Sequence, residues 1–425
     1  MKSKKFVLAG LVLLAITMVL LPLSGCKNDS VPETPKYTVS FNTDGGSTVA
    51  SQTVESGQKA KEPAEPELEG SWFLGWYSDE GLAKKFDFNT QITTATTVYA
   101  KWSYKLHTKP TTLTNYPSSH APEGEWTYVE FGDWPQTILK GDVKVDETKS
   151  KEMGMFTYYL GSDGNHYVKH SDKYYKVEPI VWRVLTEDYK DPEGKSTGNA
   201  LLLAESILTG GICYYVDASE RTIGGKPVYA NNWQYSTIRA WLNGLDVVKS
   251  DDAQENDTTY TDKGFLQTAF TADAQSLIAA TSVDNSAAST NPASNPKQWE
   301  EGKNPFASNT PTTDKVFLLS EKEATTGAYL KEKGVTDEDY GFDEYSGSGK
   351  GNTRIRVTTD YAKATGAQQD STEGYGGWWW LRSPNFNYEN NARVIRSHGI
   401  ADYNSFVNIA YGGVVPALSI SLGGN

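Results

Sequence analysis

The side chains best suited to chemistry lie between residues 385 and 411 of this 425-residue chain. Asn385, Phe386, Asn387, Tyr388, Asn390 and Asn391 come first. His398, Ile400, Asp402, Tyr403, Asn404, Ser405, Phe406, Asn408, Ile409 and Tyr411 follow a strand-like run at 392–397. Their chemistry is recognition rather than bond-making. Tyr and Phe offer large, rigid contact area, and Asn and Ser offer adaptable hydrogen bonds. The flanks differ in kind. Gly376 to Pro384 (GGWWWLRSP) and Gly412 to Leu418 (GGVVPAL) read as buried scaffold. A rigid frame around an adaptable filling points to a ligand-binding segment, the ligand being an external protein or glycan.

Complete catalytic constellations do not appear in the sequence. His166 and His170 lack the His-Glu-x-x-His context of a zinc site, and the turn at 161–164 places them in a hairpin. His107 and His120 fall in a Pro- and Thr-rich stretch. No Gly-x-Ser-x-Gly elbow occurs. Residues 346–351 (SGSGKG) lack phosphate-loop spacing, and the acidic run 337–344 lacks the EF-hand positions. Cys213 sits in an apolar setting without a neighbouring base, as an inert thiol does. The expectation is a binding protein rather than an enzyme, with no metal and no cofactor. An envelope enzyme acting on glycan, and a structural envelope component without a ligand, are the alternatives.

The elements that must carry this segment are mostly strands. A 12% aromatic content with 12 Trp and 25 Tyr suits a large strand-rich core. Buried strands are expected at 180–185, 200–204, 315–319 and 376–382. A helix is expected at 237–243, capped by Ser236 and stopped by Asn243-Gly244. A second spans 265–278 with a break at Thr271. Polar loops separate them at 186–199, 249–262, 283–312 and 331–352. The net charge of −13 disfavours nucleic acid as a partner.

The N-terminus addresses the chain to an envelope. Lys2, Lys4 and Lys5 precede an apolar run at 6–23, about 27 Å long if helical, in the layout of a secretory signal. The run ends in Leu23-Ser24-Gly25-Cys26, which resembles the bacterial lipoprotein box. That resemblance implies cleavage after residue 25, lipid on Cys26 and a membrane as partner, in a cell or outer membrane. Residues 26–36 form a polar tether.

Two further resemblances organise the rest. Val39-Ser40-Phe41-Asn42, Gly45-Gly46, Phe73-Leu74-Gly75-Trp76-Tyr77 and Val98-Tyr99-Ala100-Lys101-Trp102 resemble the internalin B-repeat, also called the Listeria–Bacteroides repeat. It implies a small β-grasp module at 37–102, a spacer or adhesive unit, of which the spacer is favoured; Trp76, Phe86, Phe88 and Trp102 would form its aromatic core. Residues 103–125 then read as a second linker. From 126 to 425, the blocks around Trp182-Arg183, Leu201 to Glu205, Ser236 to Asn243, Val316 to Ser320 and Trp379 to Pro384 resemble a family of uncharacterised domains on bacterial secreted proteins and lipoproteins. Their order is similar to a C-type-lectin-like fold of the formylglycine-generating-enzyme type, in which the closing strand would return beside the first. The fold class expected is thus α+β, mostly β. The segment also resembles the variable ends that diversity-generating retroelements produce. Asp402 to Tyr411 holds only residues reachable by mutating adenines in Asn codons.

Overall fold

A computed structural model describes residues 33–114, 116, 126–251, 259–290, 304–325, 340–342, 352–401 and 403–422. The leader with Cys26, His120, most of the acidic run 337–344, the stretch 346–351 and Asp402 lie outside them. The structure is mostly β. Among the described residues no helix is long and apolar enough to cross a membrane.

The first unit is a four-stranded sheet. β1 (Lys36–Asn42) pairs with β2 (Gln52–Glu55), β3 (Phe73–Tyr77) and β4 (Thr96–Trp102) pair with each other, and β1 and β4 form a parallel central pair. Val39, Trp76, Val98 and Trp102 are buried between strands and loops. Phe86 and Phe88 pack only partly buried against them, at the edge of the aromatic core expected from sequence. Gly46 lies against Trp102, where a Cβ would come within 2.4 Å of the ring. The Gly45-Gly46 turn is therefore a packing requirement as well as a turn. A grasp implies a helix across the sheet, and residues 33–102 contain none.

The expected linker is partly structured. β5 (Thr111–Leu113) pairs with β6 (Tyr128–Ile138) in the main sheet, and Tyr104 and Leu106 pack on its core. The reason is a set of polar anchors. Tyr104 donates its hydroxyl to Asp133 at 2.7 Å, and the His107 N–H donates to the same carboxylate at 2.7 Å. Ser103 Oγ meets His166 Nε2 at 2.8 Å, and Trp72 stands edge-on to His166. Composition hid this because Pro and Thr dominate the stretch while a few residues do the docking.

The main sheet has nine strands. β7 (Val145–Met153), β8 (Phe156–Gly161), β9 (His166–His170) and β10 (Lys173–Thr186) form an antiparallel meander. β11 (Ala200–Ala204), fully buried, pairs with β10, and β6 pairs with β10 through bulges. Next come α1 (Thr237–Asn243), α2 (Phe265–Ala269) and α3 (Ala272–Leu277). Ser236 caps α1 by accepting the Arg239 N–H, and Gly244 ends it in the left-handed region at φ 64°. Thr271 caps α3 and so breaks the helical run where expected. β12 (Val316–Phe317), α4 (Glu321–Thr325) and α5 (Asp360–Ala364) lead into a separate three-stranded sheet. Its strands are β13 (Trp379–Pro384), β14 (Asn391–Ile395) and β15 (Tyr403–Phe406). The closing strand β16 (Ala417–Ile420) returns beside β11 and β12, not beside β6. β10 separates it from β6, the first long strand.

Candidate binding cleft

The frame is held by buried charge as well as by tryptophan. Every residue of β13 is buried. Trp379 donates its indole N–H to the Arg354 carbonyl, and Trp380 packs on Tyr214. Arg382 reaches the Leu318 carbonyl at 2.8 Å and the Glu323 carboxylate at 2.5 Å. Tyr189 donates its hydroxyl to the same carboxylate. Burial opposes ionisation of Glu323, but the charge and hydrogen bond of Arg382 outweigh it and hold the carboxyl below its ordinary range. On β14, Arg393 donates to Glu321. Both glutamates stand on α4, so two ion pairs pin β13 and β14 to one short helix. The Gly413 carbonyl accepts the Trp380 N–H, and the Gly413 N–H donates to the Trp378 carbonyl. This close return needs Gly412, where a Cβ would stand 2.4 Å from Trp380 Nε1.

Beside this frame opens a cleft of about 520 Å³. Asn391, Tyr403, Asn404, Ser405, Phe406 and Tyr411 line it, as do Trp378, Val394, Arg396 and Ser397. β14 and β15 run antiparallel with Asn391 opposite Phe406 and Val394 opposite Tyr403. The Arg396 guanidinium lies 3.3 Å from the Tyr403 ring centroid. Asn391 donates its amide to Asn404 Oδ1. Trp378 stands edge-on to Tyr411 and donates to Gln368.

The sequence-predicted residues among those described divide into four groups. Six line the cleft, as named. Asn387, Tyr388 and Asn408 are exposed outside its lining, and Phe386, Asn390, His398, Ile400 and Ile409 are half-buried. Ile409 packs on the core, and His398 lies beside Tyr375. Asn385 is a correction. It is buried, and its Oδ1 accepts the N–H groups of Asn387 and Tyr388, so it shapes the loop rather than meeting a ligand. Val407, within the same run, is fully buried. Sequence reasoning omitted Trp378, Val394, Arg396 and Ser397. Trp378, read from sequence as part of the buried frame, stands just before the wholly buried β13 and is itself only half-buried. Nothing in the sequence marks Arg396 as belonging to the site.

The other candidates are spent structurally. His166 is buried against Trp72 and Tyr158, and burial, with Lys151 nearby, pushes its pKa down to about 3. It is therefore neutral. His170 stands edge-on to Tyr361. Cys213 is half-buried, and burial raises its thiol pKa, the wrong direction for a nucleophile. Among the described residues no group of three or more His, Cys, Asp or Glu is placed to hold a metal.

Comparison with known proteins fits this layout. Residues 197–422 match the family described as "Domain of unknown function (DUF6273)", and residues 37–101 match the Listeria-Bacteroides repeat domain. Two proteins of Evansella cellulosilytica are similar in part. One, named "Putative membrane protein", is 42% identical over 91 residues, 21% of this chain and 14% of that protein. The other, named "Putative Gly-rich membrane protein", is 43% identical over 76 residues, 18% of this chain and 9% of that protein. The chain thus matches only a small part of the length of either relative.

Proposed function

The chain belongs to the DUF6273 family and carries a Listeria–Bacteroides repeat, and on that footing we propose that it is a membrane-associated bacterial surface protein that binds an external ligand in the cleft beside β15. One observation carries the reading. Among the described residues the four exposed aromatic side chains are Tyr388, Tyr403, Phe406 and Tyr411, all between 385 and 411. A chain that buries its other described aromatics at least in part leaves these four in water. Exposed Tyr and Phe around a cleft mark recognition surfaces. The cleft's described lining has no carboxylate, imidazole or thiol, which favours binding over catalysis.

Three finer elements belong to the same proposal. Lipid on Cys26 anchors the chain, each buried CH₂ contributing about 0.8 kcal/mol. Labelled palmitate should enter wild type and not Cys26→Ala. The C-terminal domain is C-type-lectin-like, supported by α1 and α2 following the core strands and by a late three-stranded sheet that bears the cleft. The run 402–411 is diversified, with buried Val407 confined to apolar replacements. A reverse transcriptase and a near-copy of the gene's 3′ end beside the locus would support this, and their absence would remove it.

The cleft is tested with the full chain in detergent micelles on an array of bacterial and host glycans and surface proteins. Specific binders should lose at least tenfold with Tyr403→Ala at unchanged melting temperature. Binding indifferent to Tyr403→Ala, Phe406→Ala and Tyr411→Ala would place recognition elsewhere.

A further inference from the structure

The chain has eight arginines, and seven donate to protein oxygens. Arg183 serves Glu205, Arg239 serves Asp314, Arg382 serves Glu323 and Arg393 serves Glu321. Arg221, Arg354 and Arg356 serve backbone carbonyls. Arg396 is the exception. Its guanidinium makes no hydrogen bond or ion pair with the described residues and lies over the Tyr403 ring in the cleft. That contact holds the fork in place, and the described residues leave its N–H groups unpaired. A planar fork of this kind suits bidentate pairing with a carboxylate. No acidic side chain is among the described lining to neutralise it, although the chain as a whole carries −13.

A second observation selects the kind of carboxylate. Asn391 Oδ1 is buried at the cleft and accepts no hydrogen bond from the described residues, while Asn391 Nδ2 is spent on Asn404 Oδ1. A buried acceptor without a donor is costly. A hydroxyl both donates and accepts, so it can answer Asn391 Oδ1 and the amide of Asn404 together. A carboxylate can only accept. Phe406 and Tyr411 also line the cleft and supply apolar surface of the kind that the C–H face of a sugar ring covers.

We infer that the cleft takes an acidic sugar, with Arg396 pairing the carboxylate and Asn391 and Asn404 meeting ring hydroxyls. This rests on the cleft being the binding site. The full chain in micelles is titrated with a galacturonate trisaccharide, its carboxyl-reduced galactose counterpart and a triglutamate peptide. The galacturonate should bind at least tenfold tighter than either other probe. Arg396→Gln should abolish the preference, and Arg396→Lys should restore part of it, with melting temperatures showing both variants folded. Equal binding of acidic and neutral sugar, or triglutamate binding as tightly as galacturonate, overturns the inference. If the array yields Tyr403-dependent protein binders while no sugar binds, the inference falls and the cleft reading stands. If nothing binds through Tyr403, both fall.

Discussion

β14 and β15 are neighbours in one small sheet, yet they are built for opposite ends. β14 is buried at every residue and ties its Arg393 to Glu321, whereas β15 exposes Tyr403 and Phe406 and has no buried residue. The same residue types change role across three positions of one chain. Arg393 is spent on the frame, whereas the Arg396 guanidinium has no hydrogen-bond or ion-pair partner among the described residues. On the proposed function, stability and recognition are thereby separated over a few ångströms. The frame can be rigid because its charges are satisfied, and the surface can vary because little of the fold depends on it.

The comparison breaks most sharply at the frame. Arg382→Ala should lower the stability of the C-terminal domain by about 3–5 kcal/mol, because it leaves Glu323 charged and buried without its partner. Chemical denaturation would measure the loss. A change under about 1 kcal/mol would mean that the pair is not part of the frame. Trp380→Ala, at a fully buried site, should cost a similar amount, about 3–5 kcal/mol.

Caps sharpen the picture at a smaller scale. Thr271→Ala removes the acceptor for the Ala274 N–H and should cost about 1 kcal/mol. Such an effect belongs to the frame although the residue is far from the cleft in sequence.

The junction between the two units gives a pH-dependent test. Burial lowers the His107 pKa, but its hydrogen bond to Asp133, then the charges of Asp133 and Glu130, outweigh it and leave the value raised. A raised folded pKa stabilises fully below the ordinary histidine value of about 6.5, and that contribution is lost as pH rises through the folded pKa. The melting-temperature gap between wild type and His107→Gln should therefore be widest below about pH 6 and should close toward alkaline pH. A gap that does not change with pH would remove the ionic part of this junction.

Much of the frame was legible in the sequence because local signals and burial agreed there. Ser236 and Asn243-Gly244 bracketed α1, Thr271 split the next helical run, and Val- and Leu-rich runs gave β10 and β11. The junction was illegible. His107 and Tyr104 find Asp133 across more than twenty residues, and no local pattern encodes that contact. The position of β16 was missed for the same reason, since strand order is decided by long-range pairing. Within the candidate site, aromatic and Asn content located the segment but could not sort its members. Asn385 and Tyr403 are equally plausible by type, and only three-dimensional context turns one into a loop brace and leaves the other in water. Arg396 was missed because an arginine's availability depends on which carboxylates the fold brings near it.

The central claim is that the cleft surface is energetically separable from its frame. It is tested most directly by one combined variant, Tyr403→Ser, Phe406→Ser and Tyr411→Ser, measured by thermal unfolding and by binding to whichever array ligand wild type selects. Surface changes usually stay within about 0.5 kcal/mol each, whereas interface aromatics can cost about 2 kcal/mol or more in binding. The account predicts a melting transition close to wild type with binding reduced at least tenfold. A variant that melts as early as Trp380→Ala, or one that folds and binds as wild type does, would contradict it.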